Sequence, residues 1–247
     1  MLEINVRKQL GQTLIDVNVQ IPSTGITVFY GHSGAGKTSL INMAAGLLTP
    51  DEGHISVNGK VFFDSKEKIN LPPEQRKCGY IFQDKRLFPY LSVKKNLLFA
   101  SRKEEKSLGF DETVRLLGIA HLLKRKPVFL SGGESQRVAI GRALLSNPEI
   151  FLMDEPMSSL DSERKDELIP FIGKLPIASG IPVIMVTHSY DEMIRLADYV
   201  VVLKSGKAVS CGTVNEVFHK PEKEICPYCS AEFSKKFIVP NRRLRVS

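Results

Sequence analysis

The eight residues "GHSGAGKT", 31–38, fit the pattern G-x-x-x-x-G-K-[ST] in full. The short apolar run "GITVFYG" leads into them and a helical pattern follows, which is the context this motif requires. Glycines let the backbone wrap tightly, so that N–H groups point at phosphate oxygens. The helix start adds its positive end. In such a cradle Lys37 holds β- and γ-phosphates and Thr38 ligates Mg²⁺. The candidate nucleotide-binding set is Gly31, His32, Ser33, Gly34, Ala35, Gly36, Lys37, Thr38 and Ser39.

A second group of chemistry-bearing residues lies far along the chain. "IFLMDEP" is an apolar strand ending in Asp154 and Glu155. Strand ends of this kind carry the ligand side of parallel sheets. Asp154 is therefore the candidate acidic partner for Mg²⁺, and Glu155 the candidate for polarising an attacking water. Gln83 follows "GYIF" and His188 follows "IMVT". A Gln or His at a strand end is either a structural hydrogen-bonder or a phosphate-facing group, and spacing alone leaves Gln83 undecided between the two. "LSGGESQRV" places Ser131, Gly132 and Gly133 before a helix expected to start near Glu134. That is another backbone N–H anion site. It has no lysine, so alone it would hold phosphate weakly.

The elements that must position these residues are legible. "LEINVRKQLGQTLIDVNVQIP" has the alternation of strands, and "HISVNGKVFF" carries an Asn-Gly pair suited to a hairpin. These suggest a small antiparallel sheet. "GITVFYG", "IFLMDEP" and "IPVIMVTHS" are continuous apolar strands of a buried parallel sheet. "DYVVVLKSGKAVSCG" reads as a terminal hairpin. From Asp84 to about Lys126 no convincing strand occurs, and the segment reads as an inserted helical subdomain. The fold class is α/β with a parallel core. Expected organisation is one domain over 1–220, with the helical subdomain at about 84–140, and a short basic tail over 221–247.

Composition sets few further limits. A length of 247 residues allows a real core. The apolar runs are too short to span a bilayer, and the N-terminus has no apolar signal region, so a cytoplasmic location is expected. Net charge is +7, of which the stretch from Lys220 carries +4; the main body has no basic excess that would require a nucleic-acid partner. Cys78 and Cys211 are isolated. Cys226 and Cys229 form "CPYC", which matches a redox pair and half a zinc site, yet lacks the surrounding fold for the first and two ligands for the second.

The ordered set of motifs resembles the ABC ATPases over residues 1–218, nearly the whole chain. "LSGGESQR" looks like their signature motif, "SSLD" ending at Asp161 like their D-loop, and Gln83 and His188 like their Q-loop glutamine and switch histidine. The resemblance implies a head-to-tail homodimer, with each ATP held between one P-loop and the partner's signature. It implies catalytic roles for Glu155, His188 and Gln83, Mg²⁺ ligation by Thr38, Gln83 and Asp154, and nucleotide contacts from Ser131, Gly132, Gly133 and Asp161. Within the family "GHSGAGKTSLINMAAGL", "LPPEQRKCGYIFQDKRLFPYLSVKKNL" and "RALLSNPEIFLMDEPMSSLD" are similar to the importers, most of all the molybdate importers. That implies an ATP-hydrolysing subunit at the cytoplasmic face of the inner membrane, driving a separate permease and served by a solute-binding protein. ATPases for sulfate, polyamines or sugars, exporters and soluble ABC proteins are the alternatives. Two departures stand out. The segment "VRKQLGQ" has no aromatic to stack on adenine, leaving contacts around Arg7 to Leu10. The chain also stops at Ser247, where molybdate-type relatives continue into a regulatory β-domain.

Overall fold

The computed structural model describes residues 1–99, 101 and 108–218. The "CPYC" pair and the basic tail lie outside the described residues. The chain opens with β1 (Leu2–Leu10) and β2 (Thr13–Ile21), an antiparallel pair. Then come β3 (Ile26–Tyr30), α1 (Lys37–Ala45), β4 (Glu52–Val57), β5 (Lys60–Asp64), β6 (Ile69–Asn70), α2 (Pro73–Arg76) and β7 (Cys78–Ile81). The helical segment holds α3 (Val93–Phe99), α4 (Phe110–Leu116) and α5 (Gly132–Leu145). No strand occurs among its described residues. The chain then alternates β8 (Ile150–Asp154), α6 (Ser162–Ser179), β9 (Val183–Thr187) and α7 (Tyr190–Leu196), and closes with β10 (Tyr199–Lys204), β11 (Lys207–Gly212) and α8 (Val214–Phe218).

All strands join one sheet in the order β6-β5-β4-β1-β2-β11-β10-β3-β9-β8-β7. The half from β10 to β7 is parallel, and the half from β6 to β2 is antiparallel. The small antiparallel sheet expected from the sequence is therefore not separate. One parallel bridge between β11 and β2, at Lys207 opposite Asp16, joins it to the core. The Asn-Gly hairpin is present: Asn58 and Gly59 take φ of 50° and 82° between β4 and β5, both left-handed as this turn type needs.

Two apolar clusters line the two faces of the parallel half, as its continuous apolar strands require. Along β3, Ile26, Val28 and Tyr30 join the cluster under α5, α6 and α7. Phe29 turns to the opposite cluster with Leu40, Ile41 and Met43 of α1. Alternation within a fully apolar strand thus fixes a helix layer on each side.

A charged group inside this apolar frame ties the antiparallel half to α1. Arg76 is wholly buried. Its Nη1 donates to the carbonyls of Met43 (2.7 Å) and Ala44 (3.1 Å), its Nε to Leu71 O (2.7 Å) and its Nη2 to Asn70 Oδ1 (2.9 Å). The last carbonyls of a helix lack intrahelical donors, and a cation there also suits the helix dipole. Arg76→Met keeps the apolar stem but strands several buried acceptors. At roughly 1–3 kcal/mol per orphaned group, it is expected to cost about 3 kcal/mol or more, read as a lower urea midpoint.

Candidate functional site

The loop between β3 and α1 is shaped by close approaches. A Cβ on Gly31 would lie 2.3 Å from the carbonyl oxygen of Leu203, so only glycine fits. Gly36 takes φ 96° and lets α1 start abruptly. The turn is closed by Ala35 N donating to His32 O (3.1 Å), and braced from the β10–β11 turn by Gly206 N donating to Ala35 O (3.2 Å). Lys37 is buried, and its ammonium donates to Gly31 O (2.7 Å) and His32 O (2.9 Å). Burial pushes its pKa down, while Glu155 and Asp154 oppose that shift.

Parallel pairing sets β8 beside β9 and β9 beside β3, so their C-terminal ends open on one edge. Thr38 Oγ1 donates to Asp154 Oδ1 across that edge at 2.8 Å. Burial raises the Asp154 pKa above the ordinary carboxylate range, and the Thr38 hydrogen bond opposes the rise. Glu155 sits at φ 44°, a left-handed conformation that a non-glycine residue holds at a cost of about 1–3 kcal/mol. Its N–H donates to Val186 O on β9 (3.1 Å), which fixes the turn. The carboxylate then meets the ring of His188, Nδ1 to Oε1 3.0 Å. Lys37, Thr38, Asp154, Glu155 and His188 are thus brought together by direct contacts or mutual fields.

The other expected residues lie apart. β7 ends at Ile81, so Gln83 is two residues past the strand rather than its last residue. Gln83 is exposed and makes no hydrogen bond among the described residues. Helix α5 starts at Gly132, two residues before the expected Glu134. Ser131 caps it: Ser131 N donates to Glu134 Oε2 (2.7 Å), and Glu134 N donates to Ser131 Oγ (3.2 Å). These bonds, with Arg125 and His121 nearby, hold the Glu134 carboxyl below its usual range. The N–H groups of Gly132 and Gly133 remain outside intrahelical bonding, as at any helix start. A Cβ on Gly132 would meet Leu160 and the Lys85 ammonium, not the first cradle. Asp161 caps α6 by accepting from Arg164 N at 3.0 Å. Lys8, within the segment expected to face adenine, is paired with Asp51 at 2.6 Å.

The pattern described as "ABC transporter" matches residues 14–158. The chain belongs to the ABC transporter family. Among curated relatives, "Molybdenum import ATP-binding protein ModC" of Pasteurella multocida is 52% identical over 221 residues, covering 90% of this chain and 63% of that protein. The Haemophilus influenzae protein of the same name is 50% identical with the same coverage. The chain thus spans less than two thirds of the length of these relatives. Among solved structures, cbiO1 from Clostridium perfringens, part of the ABC transporter complex cbiONQ, superposes with TM-score 0.75 at 27% identity, covering 89% of this chain and 90% of that one. A dimeric ATP-binding cassette in a post-hydrolysis state, bound to ADP and Pi, gives TM-score 0.68 at 28% identity, covering 87% of this chain and 99% of that one. These ABC cassettes share the mixed sheet and flanking helices found here.

Sequence reading missed the support behind His188. "SYDE" has the spacing of a helix cap with a glutamate three residues on. Ser189 does cap α7, but Glu192 turns elsewhere. It is buried, accepts from Thr187 Oγ1 (2.6 Å) and pairs with Lys165 of α6 (2.8 Å). Thr187 Oγ1 in turn accepts from Ser189 N (3.0 Å). The turn bearing His188 is so bound to the helix that Asp161 caps. A long-range pair of this kind has no local signal.

The raised Asp154 pKa has a stability consequence. The folded state holds that proton more tightly than the unfolded state, so ionisation costs stability. The penalty is absent below the ordinary carboxylate pKa of about 3.9 and complete once pH exceeds the raised folded value. Asp154→Asn keeps the acceptor for Thr38 and removes the charge. It is expected to raise the melting temperature at pH 7 by roughly 2–4 °C, the size of a 1 kcal/mol gain in a chain this long. The gain should shrink as pH falls toward 4, measured by calorimetry without added nucleotide.

Proposed function

We propose that this chain is the ATP-hydrolysing subunit of an ABC importer for molybdate or a related oxyanion. The observation that carries the reading is the cluster at the strand edge: Thr38 bonded to Asp154 at 2.8 Å, and Glu155 bonded to His188 at 3.0 Å. The identity to molybdenum-import relatives supports the oxyanion class.

In this reading the backbone of residues 31–39 cradles the phosphates. Lys37 exchanges its two loop carbonyls for β- and γ-oxygens. The hydroxyl of Thr38 and the carboxylate of Asp154 are hard oxygen donors side by side, which suits Mg²⁺. Gln83 completes the set from the loop beyond β7. The metal would supply charge neutralisation on the phosphates. Glu155 orients the attacking water and takes its proton, and His188 holds the Glu155 carboxylate and faces the γ-phosphate. Ser131, Gly132 and Gly133 of a second copy close over the same phosphate, and Asp161 packs against that copy. The separation of the two cradles in one chain supports such a head-to-tail homodimer.

The membrane side follows from the described surface. No described helix is long and apolar enough to cross a membrane. Phe88, Tyr90, Leu98 and Phe99 are large, exposed and gathered near the helical segment. Their apolar surface suits a helix of the permease, with Gln83 at its root relaying movement. The subunit would sit at the cytoplasmic face, with a solute-binding protein feeding the permease.

Glu155→Gln is expected to retain ATP affinity and lose at least a hundredfold in turnover, the usual worth of a general base. The variant should accumulate as an ATP-bound dimer in light scattering; turnover at the wild-type rate would remove Glu155 as the base. For the solute, the chain and its permease are reconstituted in liposomes with molybdate- or sulfate-loaded binding protein. Stimulation of ATPase activity by the molybdate form alone is expected, and stimulation by sulfate alone would reassign the solute.

A further inference from the structure

His188 stands on a short turn, between Thr187 at the end of β9 and Tyr190 at the start of α7. Its side chain is 53% exposed, and the contact with Glu155 fixes only one point of the ring. The flanks of the turn must therefore hold it in place. On one side, Glu192 accepts from Thr187 Oγ1 and pairs with Lys165, which ties the turn to α6. That link does not set its distance from the phosphate-binding loop. The ladder puts Thr187 beside Tyr30, but the chain leaves the sheet there, and the tilt of α7 is still to be fixed.

Phe218, the last residue of α8, bridges the two loops. Its ring meets the Tyr30 ring at 6.1 Å between centroids and the Tyr190 ring at 5.6 Å, both with planes at 80°. Both are edge-to-face contacts at separations that aromatic pairs favour. Tyr30 ends β3 and immediately precedes Gly31 of the phosphate-binding loop. Tyr190 is the first residue of α7, two positions after His188. One ring thus touches the root of each loop. Helix α7 lies over β3 and β9, and α8 lies over β10 and β11.

The end of the chain is built to present this ring. Five residues are too few to hold a helix alone. A capping box secures it: Thr213 N donates to Glu216 Oε2 (2.7 Å) and Glu216 N to Thr213 Oγ1 (3.3 Å). Val214 and Val217 anchor it on the main apolar cluster. Phe218 itself is only half-buried, so its ring lies at the rim of that cluster and not at its centre.

We infer that Phe218 is a positioning residue: its ring, between Tyr30 and Tyr190, sets where the turn bearing His188 lies relative to the phosphate-binding loop. This role rests on the reading of His188 as the group that faces the γ-phosphate. The loop keeps its own braces, from Lys37 to Gly31 O and His32 O and from Gly206 N to Ala35 O. Loss of the ring therefore frees the start of α7 and leaves the cradle intact, so turnover falls while nucleotide affinity stays.

The test compares the full chain with Phe218→Leu, which keeps apolar bulk without a ring edge, and Phe218→Tyr, which keeps the ring. In Phe218→Leu, kcat for ATP hydrolysis is expected to fall about tenfold or more, on the scale of a displaced catalytic group. KM for ATP and the melting shift given by ADP and Mg²⁺ should be unchanged, and Phe218→Tyr should restore the rate. Tyr190→Leu should lower kcat to the same degree and the double variant no further, because both remove one link. A second readout needs no turnover: NMR of ring-labelled histidine, with the His188 signals identified by their loss in His188→Gln. One sharp set is expected in wild type, broadened or doubled in Phe218→Leu and restored in Phe218→Tyr. A rise in KM at constant kcat, additive losses in the double variant, or an unchanged His188 signal would overturn the role. A lower melting temperature alone would do the same and make Phe218 a packing residue only. If the wild-type chain hydrolyses no ATP, the proposed function fails, and the histidine spectrum alone decides whether Phe218 positions the turn.

Discussion

The hydrogen bond from Thr38 to Asp154 joins residues 116 positions apart, and the candidate site depends on the geometry that allows it. It can form only if α1 starts where β3 ends and β8, with β9 between the two strands, ends level with it. That level is set by the parallel ladders through β9, with Tyr30 opposite Thr187 and Asp154 opposite Val186. A slip of one residue in either ladder would turn every side chain to the other face. The two apolar clusters oppose such a slip, because the apolar residues of β3, β8 and β9 already have their places in one or the other. Packing in the core thus sets the spacing of polar atoms at the edge.

Left-handed backbone occurs where these loops leave the sheet, as it does at several turns elsewhere. Glu155 holds a left-handed conformation beside His188, and Lys85 and Arg86 do so beside Gln83. Each cost is offset by a bond from a neighbouring element: Val186 O for Glu155, and the Phe82–Tyr80 stack for the Lys85 loop. At these three positions the cost falls on loop residues and not on residues of the core.

Much of this was legible in the sequence because the signals were local. Glycines 31 and 36 announced a loop that no other residue could make, and the apolar strands announced a parallel sheet. The glycine pair after Ser131 announced a helix start, which the structure places at Gly132, two residues earlier than expected, with Ser131 and Glu134 closing a capping box. What could not be read is what depends on distant partners. The same Ser-x-x-Glu spacing at Ser189 gave a cap whose glutamate reaches Thr187 and Lys165 instead. Nothing local in "PPEQRK" marks Arg76 as buried, yet it is buried against α1. Within the sheet the antiparallel half meets the parallel half through one ladder pair, Asp16 and Lys207, which no periodicity encodes.

The two glycine-bearing helix starts are kept apart by the fold, which is why the proposed reading needs a second copy. Helix α1 packs against β8 and β9, while α5 packs against α3, α4, α6 and β7, so the two helix starts belong to different parts of the fold. Within one chain, the elements recorded beside Gly132 are Leu160 and Lys85, not the loop that holds Lys37. Moving one cradle onto the other would mean breaking the packing of α5, whose Val138, Ile140 and Leu144 sit in the main core. In the proposed homodimer a second copy would bring its own α5 start to the first copy's loop, which asks neither core to break. A weak half-site that costs nothing to present is then more useful than a strong one. In the proposed homodimer it would bind only when the first cradle is already filled, and would let go once the bridging phosphate is gone.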